Sequence, residues 1–454
     1  MPNGFSKRGI LALSLVAFFL APAAQSGAWQ VKDRVSVSSD GSEGNGPSSY
    51  PRLSADGRYI VFQSGASNLV PGDTNGSSDI FVHDRQTEAT SRVSVSSGGS
   101  AGNGGSFLPS ISADGRYVAF ESNASNLVPG DTNGFCDIFI HDRKKGATTR
   151  VSVDSDGSEG NKPSYDPSIS ADGRYVVFYS VASNLVPGDT NGFPDVFVHE
   201  YQTGATTRVS VSSGGSEGNG GSIYESSISA DGRYAAFGSG ASNLVLGDTN
   251  ANFDIFVHDR QTGATSRVSV SSGGSEGNDQ SVDPSISADG RYVVFYSMAS
   301  NLFPGDTNAD YDIFVHDRQT GATSRVSVSS GGSEGNGDSG YPSISADGRY
   351  VVFHSVASNL VSGDTIANYD IFVHDRQTGA TSRVSVTSVG SEGNGDSWDP
   401  SISADGRYVA FVSDASNLVS GDTNGFEDVF VAFTPDGSFY FIPGKTGGGA
   451  VVFF

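Results

Sequence analysis

Seven places in the 454-residue chain carry side chains able to do chemistry just ahead of a recurring Pro-Ser-Ile-Ser-like segment. They are Tyr50, Phe107, Tyr165 with Asp166, Tyr224 with Glu225, Asp283, Tyr341, and Trp398 with Asp399. Aromatic rings beside carboxylates suit the faces of sugars, cationic groups or a peptide. Paired carboxylates also perform acid–base work on a glycosidic bond when they stand a few ångströms apart. A polysaccharide-active enzyme using Asp166, Asp283 and Asp399 is therefore the chemistry that competes with a binding face.

A second set sits in loops of the form Asp-Thr-Asn-Gly-x-x-Asp. Their oxygen-bearing residues are Asp73, Asn75 and Asp79; Asp131, Asn133 and Asp137; Asp189, Asn191 and Asp195; and Asp422, Asn424 and Asp428. Variants run from Asp248 to Asp254, from Asp306 to Asp312, and from Asp364 to Asp370, the last with Ile366 in the Asn place. Oxygens at the first, third and seventh positions resemble the start of a calcium loop, but the Gly that an EF-hand turn needs at its sixth position is absent. The acids at the twelfth position, such as Asp84, Asp142 and Glu200, lie beyond a whole expected strand. Asp and Asn also close turns by bonding their own backbone. Turn and calcium readings both stand, so calcium is the one cofactor the sequence suggests and none is required.

Other motifs are excluded by context. Gly-x-Ser-x-Gly recurs at 98–102, 214–218, 273–277 and 331–335, yet no helix follows, as a nucleophile elbow needs. Gly444-Lys445-Thr446 has Phe439 where a phosphate loop needs Gly. Six histidines, His83, His141, His199, His258, His316 and His374, are equivalent, while His354 stands in another strand. On strands spaced ~4.8 Å apart, equivalent rings two strands from an axis are too far apart to share a metal, so packing between repeats is expected of them.

What must position these residues is a repeat. Ser-Ala-Asp-Gly-Arg-Tyr recurs with its Asp at Asp56, Asp114, Asp172, Asp231, Asp289, Asp347 and Asp405, at spacings of 58 or 59. Each unit holds four expected strands, for example Pro167–Ser170, Tyr175–Tyr179, Asp195–His199 and Arg208–Val211, rich in β-branched and aromatic residues. Ala-Asp-Gly joins the first two strands as a hairpin turn. A four-stranded sheet apolar on both faces must stack on its neighbours, and radial stacking is a β-propeller. Arg-Val-Ser-Val also occurs seven times, but its first copy at Arg34 precedes the first unit and none follows the last Asp428–Val431. The N-terminal strand is thus expected to complete the last blade. The reading is an all-β, seven-bladed β-propeller of four-stranded antiparallel blades over residues 29–433, closed by that strand. Its divergent residues should ring one mouth of the central channel, because they lead into the innermost strands.

Composition agrees. The 60 Gly residues are turn chemistry multiplied by the repeat, and so much Gly, Ser and Asp excludes long helices. The net charge of −23 argues against nucleic acid as partner. Lys7 and Arg8 before an apolar stretch and small residues mark residues 1–28 as a secretory signal peptide, too short in its apolar part to span a bilayer. No membrane span is expected elsewhere. The single cysteine, Cys136, excludes an internal disulfide. Residues 434–454 leave the repeat and read as a hairpin-like tail.

The Ser-Ala-Asp-Gly-Arg-Tyr-Val-Val-Phe and Asp-Ile-Phe-Val-His-Asp pieces resemble the propeller repeat of TolB-like proteins, over nearly all of the expected mature chain. TolB itself carries an α/β domain before a six-bladed ring, whereas this chain begins its first blade strand soon after the signal peptide. Some TolB-like propellers are pectin-fragment lyases that gather a metal on the axis with several His, and the histidines here are not placed for that. The expectation is a secreted or periplasmic, non-enzymatic monomeric scaffold that binds a protein, peptide or glycan ligand at its aromatic and acidic mouth.

Overall fold

The structure, a computed structural model, describes residues 29–434. The expected signal peptide and the hairpin-like tail fall outside the described residues. Twenty-eight strands form seven separate four-stranded antiparallel sheets. Blade 1 comprises Ser48–Leu53, Tyr59–Ser64, Asp79–Asp84 and Ala89–Arg92, from the inner to the outer strand. Blade 7 combines Ser397–Ile402, Tyr408–Ser413 and Asp428–Phe433 with the N-terminal Gln30–Arg34 as its outer strand. The ring is closed as the repeat phase requires, every blade having four strands.

The closing strand lies a few residues earlier than the Arg-Val-Ser-Val motif suggests. Each outer strand ends at the motif's Arg, as in Ala205–Arg208. The following Ser turns its side chain to the third strand. Ser210 Oγ donates to Asp195 Oδ1 at 2.5 Å and accepts the Val196 N–H at 3.0 Å. A hydroxyl thus replaces a backbone partner, and the chain crosses toward the next blade instead of extending the ladder.

Second and third strands read as continuous apolar runs because both their faces are buried. Val61, Ile80 and Val82 of blade 1 pack on Val118, Phe120 and Phe139 of blade 2. Ile60, Phe62 and Phe81 face blade 7 across Ala410, Val429 and Val431. The junctions also hold the six equivalent histidines. His83 Nδ1 lies 2.9 Å from Thr90 Oγ1, and that hydroxyl donates to the Val37 carbonyl at 2.5 Å. Burial pushes these imidazoles down, to about 4 for His199 and His374, so they are neutral packing groups.

At the far end of the inner strands the blades are linked in a circle. The Ala55 N–H donates to the Ala113 carbonyl, Ala113 to Ala171, and so on until Ala404 donates back to Ala55. All seven links run in the same rotational sense.

Candidate functional site

At the opposite, mouth-side half of the inner strands each strand bulges. Pairing between inner and second strands slips at the same place in every blade, for example between Tyr165 and Ser168 and between Trp398 and Ser401. The divergent residues therefore lie within the inner strands, not in loops that precede them. At each bulge a non-glycine residue is left-handed: Tyr50, Leu108, Asp166, Tyr224, Asp283, Tyr341 and Asp399 have φ between 46° and 72°. Six of these precede a proline, whose ring already restricts the residue before it. Seven positions held at a cost of order 1–2 kcal/mol each need a rigid surround, and strain of this kind gathers at functional sites.

Neighbouring blades supply part of that surround. The Leu108 N–H donates to Gln63 Oε1 at 3.1 Å, and the Asp166 N–H donates to Glu121 Oε2 at 3.0 Å. In both cases a second-strand side chain of one blade fixes the bulge of the next.

The bulges surround an axial cavity of about 190 Å³ to which all seven blades contribute. Its carboxylates are Asp166, Glu225, Asp283 and Asp399, and Leu108, Tyr341, the bulge prolines and the serines that follow them form the rest of the wall with Arg52. Of the residues expected from sequence, these four acids and Tyr341 are brought together. Tyr50 joins them electrostatically, its phenol pushed up by burial and then by Asp399 and Glu225. Phe107, Tyr165 and Trp398 stand one residue earlier, so the period of two sends them off the channel. They pair with Glu121, Tyr179 and Val412 of the second strands, and Tyr165 rests on Tyr179 at 5.4 Å. Tyr224 is 39% exposed and packs edge-on against Phe253.

Two cavity residues escaped the sequence reading. Arg52 fills the slot held by Ser in the other blades, and its guanidinium lies 3.4 Å from Glu225 Oε1 across the ring. Ser226 fills the slot held elsewhere by Pro, in the one inner strand of seven residues. Both were visible as single departures from a seven-fold pattern. A second variable position, in the middle strands, adds Tyr296, whose hydroxyl donates to Asp283 Oδ2 at 2.9 Å. Tyr296, Tyr341, His354 and Tyr369 then form a chain of ring contacts of 4.9–5.9 Å along blades 5 and 6.

The cavity is electrostatically crowded. Burial, then Glu225, Glu121 and Asp283, push Asp166 up to about 8. Burial, then Glu225, push Asp283 up to about 7 against the Tyr296 hydroxyl bond. Asp399 also rises to about 7 through burial, opposed by Arg52. Near neutral pH the cluster holds protons that isolated carboxylates would have released.

The Asp-Thr-Asn-Gly loops form different clusters, each around a guanidinium. Arg208 Nη1 lies 3.4 Å from Asp189, 3.0 Å from Asp195 and 3.0 Å from Glu217. The equivalent Arg34 ties Asp422 and Asp428 of the last blade to Glu43, at 3.1, 3.3 and 2.6 Å. Arg92 holds Asp73 and Asp79 at 3.1 Å each, and Arg150 holds Asp131 and Asp137 at 3.3 and 3.1 Å. The third-position amide is also engaged: Asn75 Nδ2 donates to Asp79 and to the Gly102 carbonyl at 2.9 and 3.0 Å. Asn133, Asn191 and Asn424 make the same bond to Asp137, Asp195 and Asp428. The twelfth-position acids are elsewhere, Asp84 pairing with Arg58 at 2.7 Å. In three blades the carboxylate oxygens still lie within 4.8 Å of one another, as in Asp248, Asp254 and Glu276. Such triads could hold a metal ion, three negative charges standing against one positive.

No protein-family model and no curated protein sequence matches the chain. Solved structures do. An oligogalacturonate lyase in complex with manganese is 13% identical, with 91% of this chain and 97% of that one covered and a TM-score of 0.52. The β-propeller domain of the trilobed protease from Pyrococcus furiosus is 10% identical, with 86% and 96% covered and a TM-score of 0.51. TolB from Acinetobacter baumannii is 16% identical with a TM-score of 0.40; 74% of this chain is covered, but it spans only 62% of that TolB. The fold is a seven-bladed β-propeller. At these identities the likeness extends to fold alone. Among the described residues no histidine lines the cavity, and no helix is long and apolar enough to cross a membrane.

Proposed function

We propose that this propeller is an exported, non-enzymatic scaffold that binds a partner or ligand at the axial mouth. The carrying observation is the convergence of seven strained inner strands on one acidic, aromatic-edged cavity. Framework residues repeat from blade to blade while the residues of the bulge differ, which suits recognition mounted on a rigid support. A glycan, a peptide or a cationic group on a protein fits this lining, and the excess of acid disfavours nucleic acid. The protein acts in the periplasm or outside the cell, as a monomer. The test is a glycan and peptide array probed with residues 29–434, beside Tyr50→Ala and Tyr341→Ala at the mouth and Trp398→Ala off the channel. Capture that is lost with Tyr341→Ala and kept with Trp398→Ala supports the reading; capture unaffected by all three opposes it.

Two further readings have observations of their own. Carboxyl groups raised to about 7 or 8 are poised for proton transfer near neutrality, so polysaccharide cleavage is the enzymatic alternative, and turnover of any glycan on the array establishes it. Calcium as a structural ion rests on the Asp–Asp–Glu triads, and a melting midpoint unchanged by calcium and by chelator removes it.

A further inference from the structure

Four carboxylates from four blades face one axial cavity, and among the described residues a single cation, Arg52, lies with them, reaching Glu225 alone of the four and donating also to the Pro51 carbonyl. No hydrogen-bond donor among the described residues reaches the carboxylates of Asp166 or Asp399. Ser226 at the cavity wall is 5% exposed, and its Oγ has no hydrogen-bond partner. A buried hydroxyl left unpaired costs about 1–3 kcal/mol, so the cavity wall offers both acceptors and a hydroxyl to a guest. At about 190 Å³ it exceeds the ~150 Å³ that holds a benzene. Its remaining wall is mixed: Leu108, the bulge prolines and the ring of Tyr341 give apolar surface between the serines that follow the bulges, such as Ser110, Ser168 and Ser285. A hard metal ion prefers oxygen on every side. A cationic head with a hydrocarbon stem places its N–H groups on the carboxylates, its stem on the prolines and its charge near the tyrosine ring.

We propose that the axial cavity takes an organic ammonium or guanidinium group, presented by the ligand of the mouth; this rests on the mouth reading above. The guest is held by Asp166, Asp283, Asp399 and Ser226, with Arg52 releasing Glu225 to complete the shell. The groups facing these acids are Arg52, Glu225, Tyr50, Tyr179, Tyr296, Tyr341, Cys136, Glu121 and, behind Asp399, Glu427. Of these only Arg52 carries positive charge. An entering cation therefore displaces protons from the cluster, and binding strengthens as the pH rises.

Calorimetric titration of the mature protein with agmatine and with cadaverine, beside calcium chloride and manganese chloride alone, tests this. Saturable binding of both amines is expected, about tenfold tighter near pH 8.5 than near pH 6, with protons released to the buffer. Asp283→Asn and Asp399→Asn should each weaken it about tenfold, the loss of one charged contact of ~1.4 kcal/mol, while their circular dichroism stays unchanged. Ser226→Ala should weaken it severalfold. No saturable heat from either amine, amine binding indifferent to Asp283→Asn and Asp399→Asn, or binding of the metal salts only would each overturn the inference. Should the arrays yield a ligand lost with Tyr341→Ala while neither amine binds or competes, the mouth reading stands and the cation inference falls. Amines that bind and displace such a ligand support both.

Discussion

Replacing Asp283 by Asn should stabilise the protein, and only above acidic pH. Asp283 is 8% exposed, and its carboxyl is pushed up to about 7 from an ordinary 3.8. Between those two pH values the folded chain binds more protons than the unfolded chain, so stability falls as pH rises through this window and the full cost is present above about 7. At about 1.36 kcal/mol per pH unit the shift corresponds to roughly 4 kcal/mol. The neighbouring acids share that cost and relax when one is removed, so about half should be recovered. Asn keeps an oxygen to accept the Tyr296 hydroxyl, and the bulge tolerates it because Asn, like Asp, visits left-handed backbone. With an unfolding entropy of ~2.1 cal/mol/K per residue, about 2 kcal/mol on a ring of some 400 residues is 2–3 °C. The assay is the melting midpoint of wild type and variant at about pH 4 and 8.5, with the urea midpoint as a second probe. The two should coincide near pH 4 and separate by about 2 °C near 8.5, the variant higher. A gap of equal size at both pH values, or a variant less stable at 8.5, would refute the reasoning.

Arg267→Met strands the buried Asp254 beside Asp248 and Glu276, so a loss of about 3–5 kcal/mol is expected; if this triad accepts a cation, calcium should restore part of the midpoint. The buried histidines lie below their ordinary value of 6.5, so the folded state resists protonation. Stability should drop as pH falls from about 6.5 through 4, and His199→Gln should flatten that limb of the pH–melting curve. Removing residues 29–34 deletes the outer strand of blade 7 and Arg34 with it, and should lower the melting midpoint by far more than any single substitution, with aggregation visible by light scattering.

The architecture was legible because one pattern is stated seven times. Val-Val-Phe runs, Ala-Asp-Gly turns and the phase of the Arg-Val-Ser-Val copies together dictate sheet type, blade number and closure. The positions of the site were legible as departures from that pattern, but not their directions. Trp398 and Asp399 are adjacent in sequence and read as one feature; the pleat sends Trp398 opposite Val412 and leaves Asp399 in the cavity. Arg52 was hidden because the eye follows acids, although its slot is otherwise Ser. The arginine at the heart of each Asp-Thr-Asn-Gly cluster was hidden for another reason. Arg208 lies 13 residues beyond Asp195, and Glu217 joins from the following loop, a juxtaposition that only the folded blade creates.

The circle of seven backbone links, with the blade shared by both chain ends, bears on how the molecule comes apart. In an open stack the terminal unit leaves by breaking a single interface, so such arrays fray from their tips. Here every blade has two interfaces, and its departure must break both together with two links of the circle. The cheapest breach is the five-residue strand Gln30–Arg34. Until that strand peels away, no blade has an exit, so the lifetime of the whole ring is set at one seam, and the axial mouth persists or vanishes as a unit.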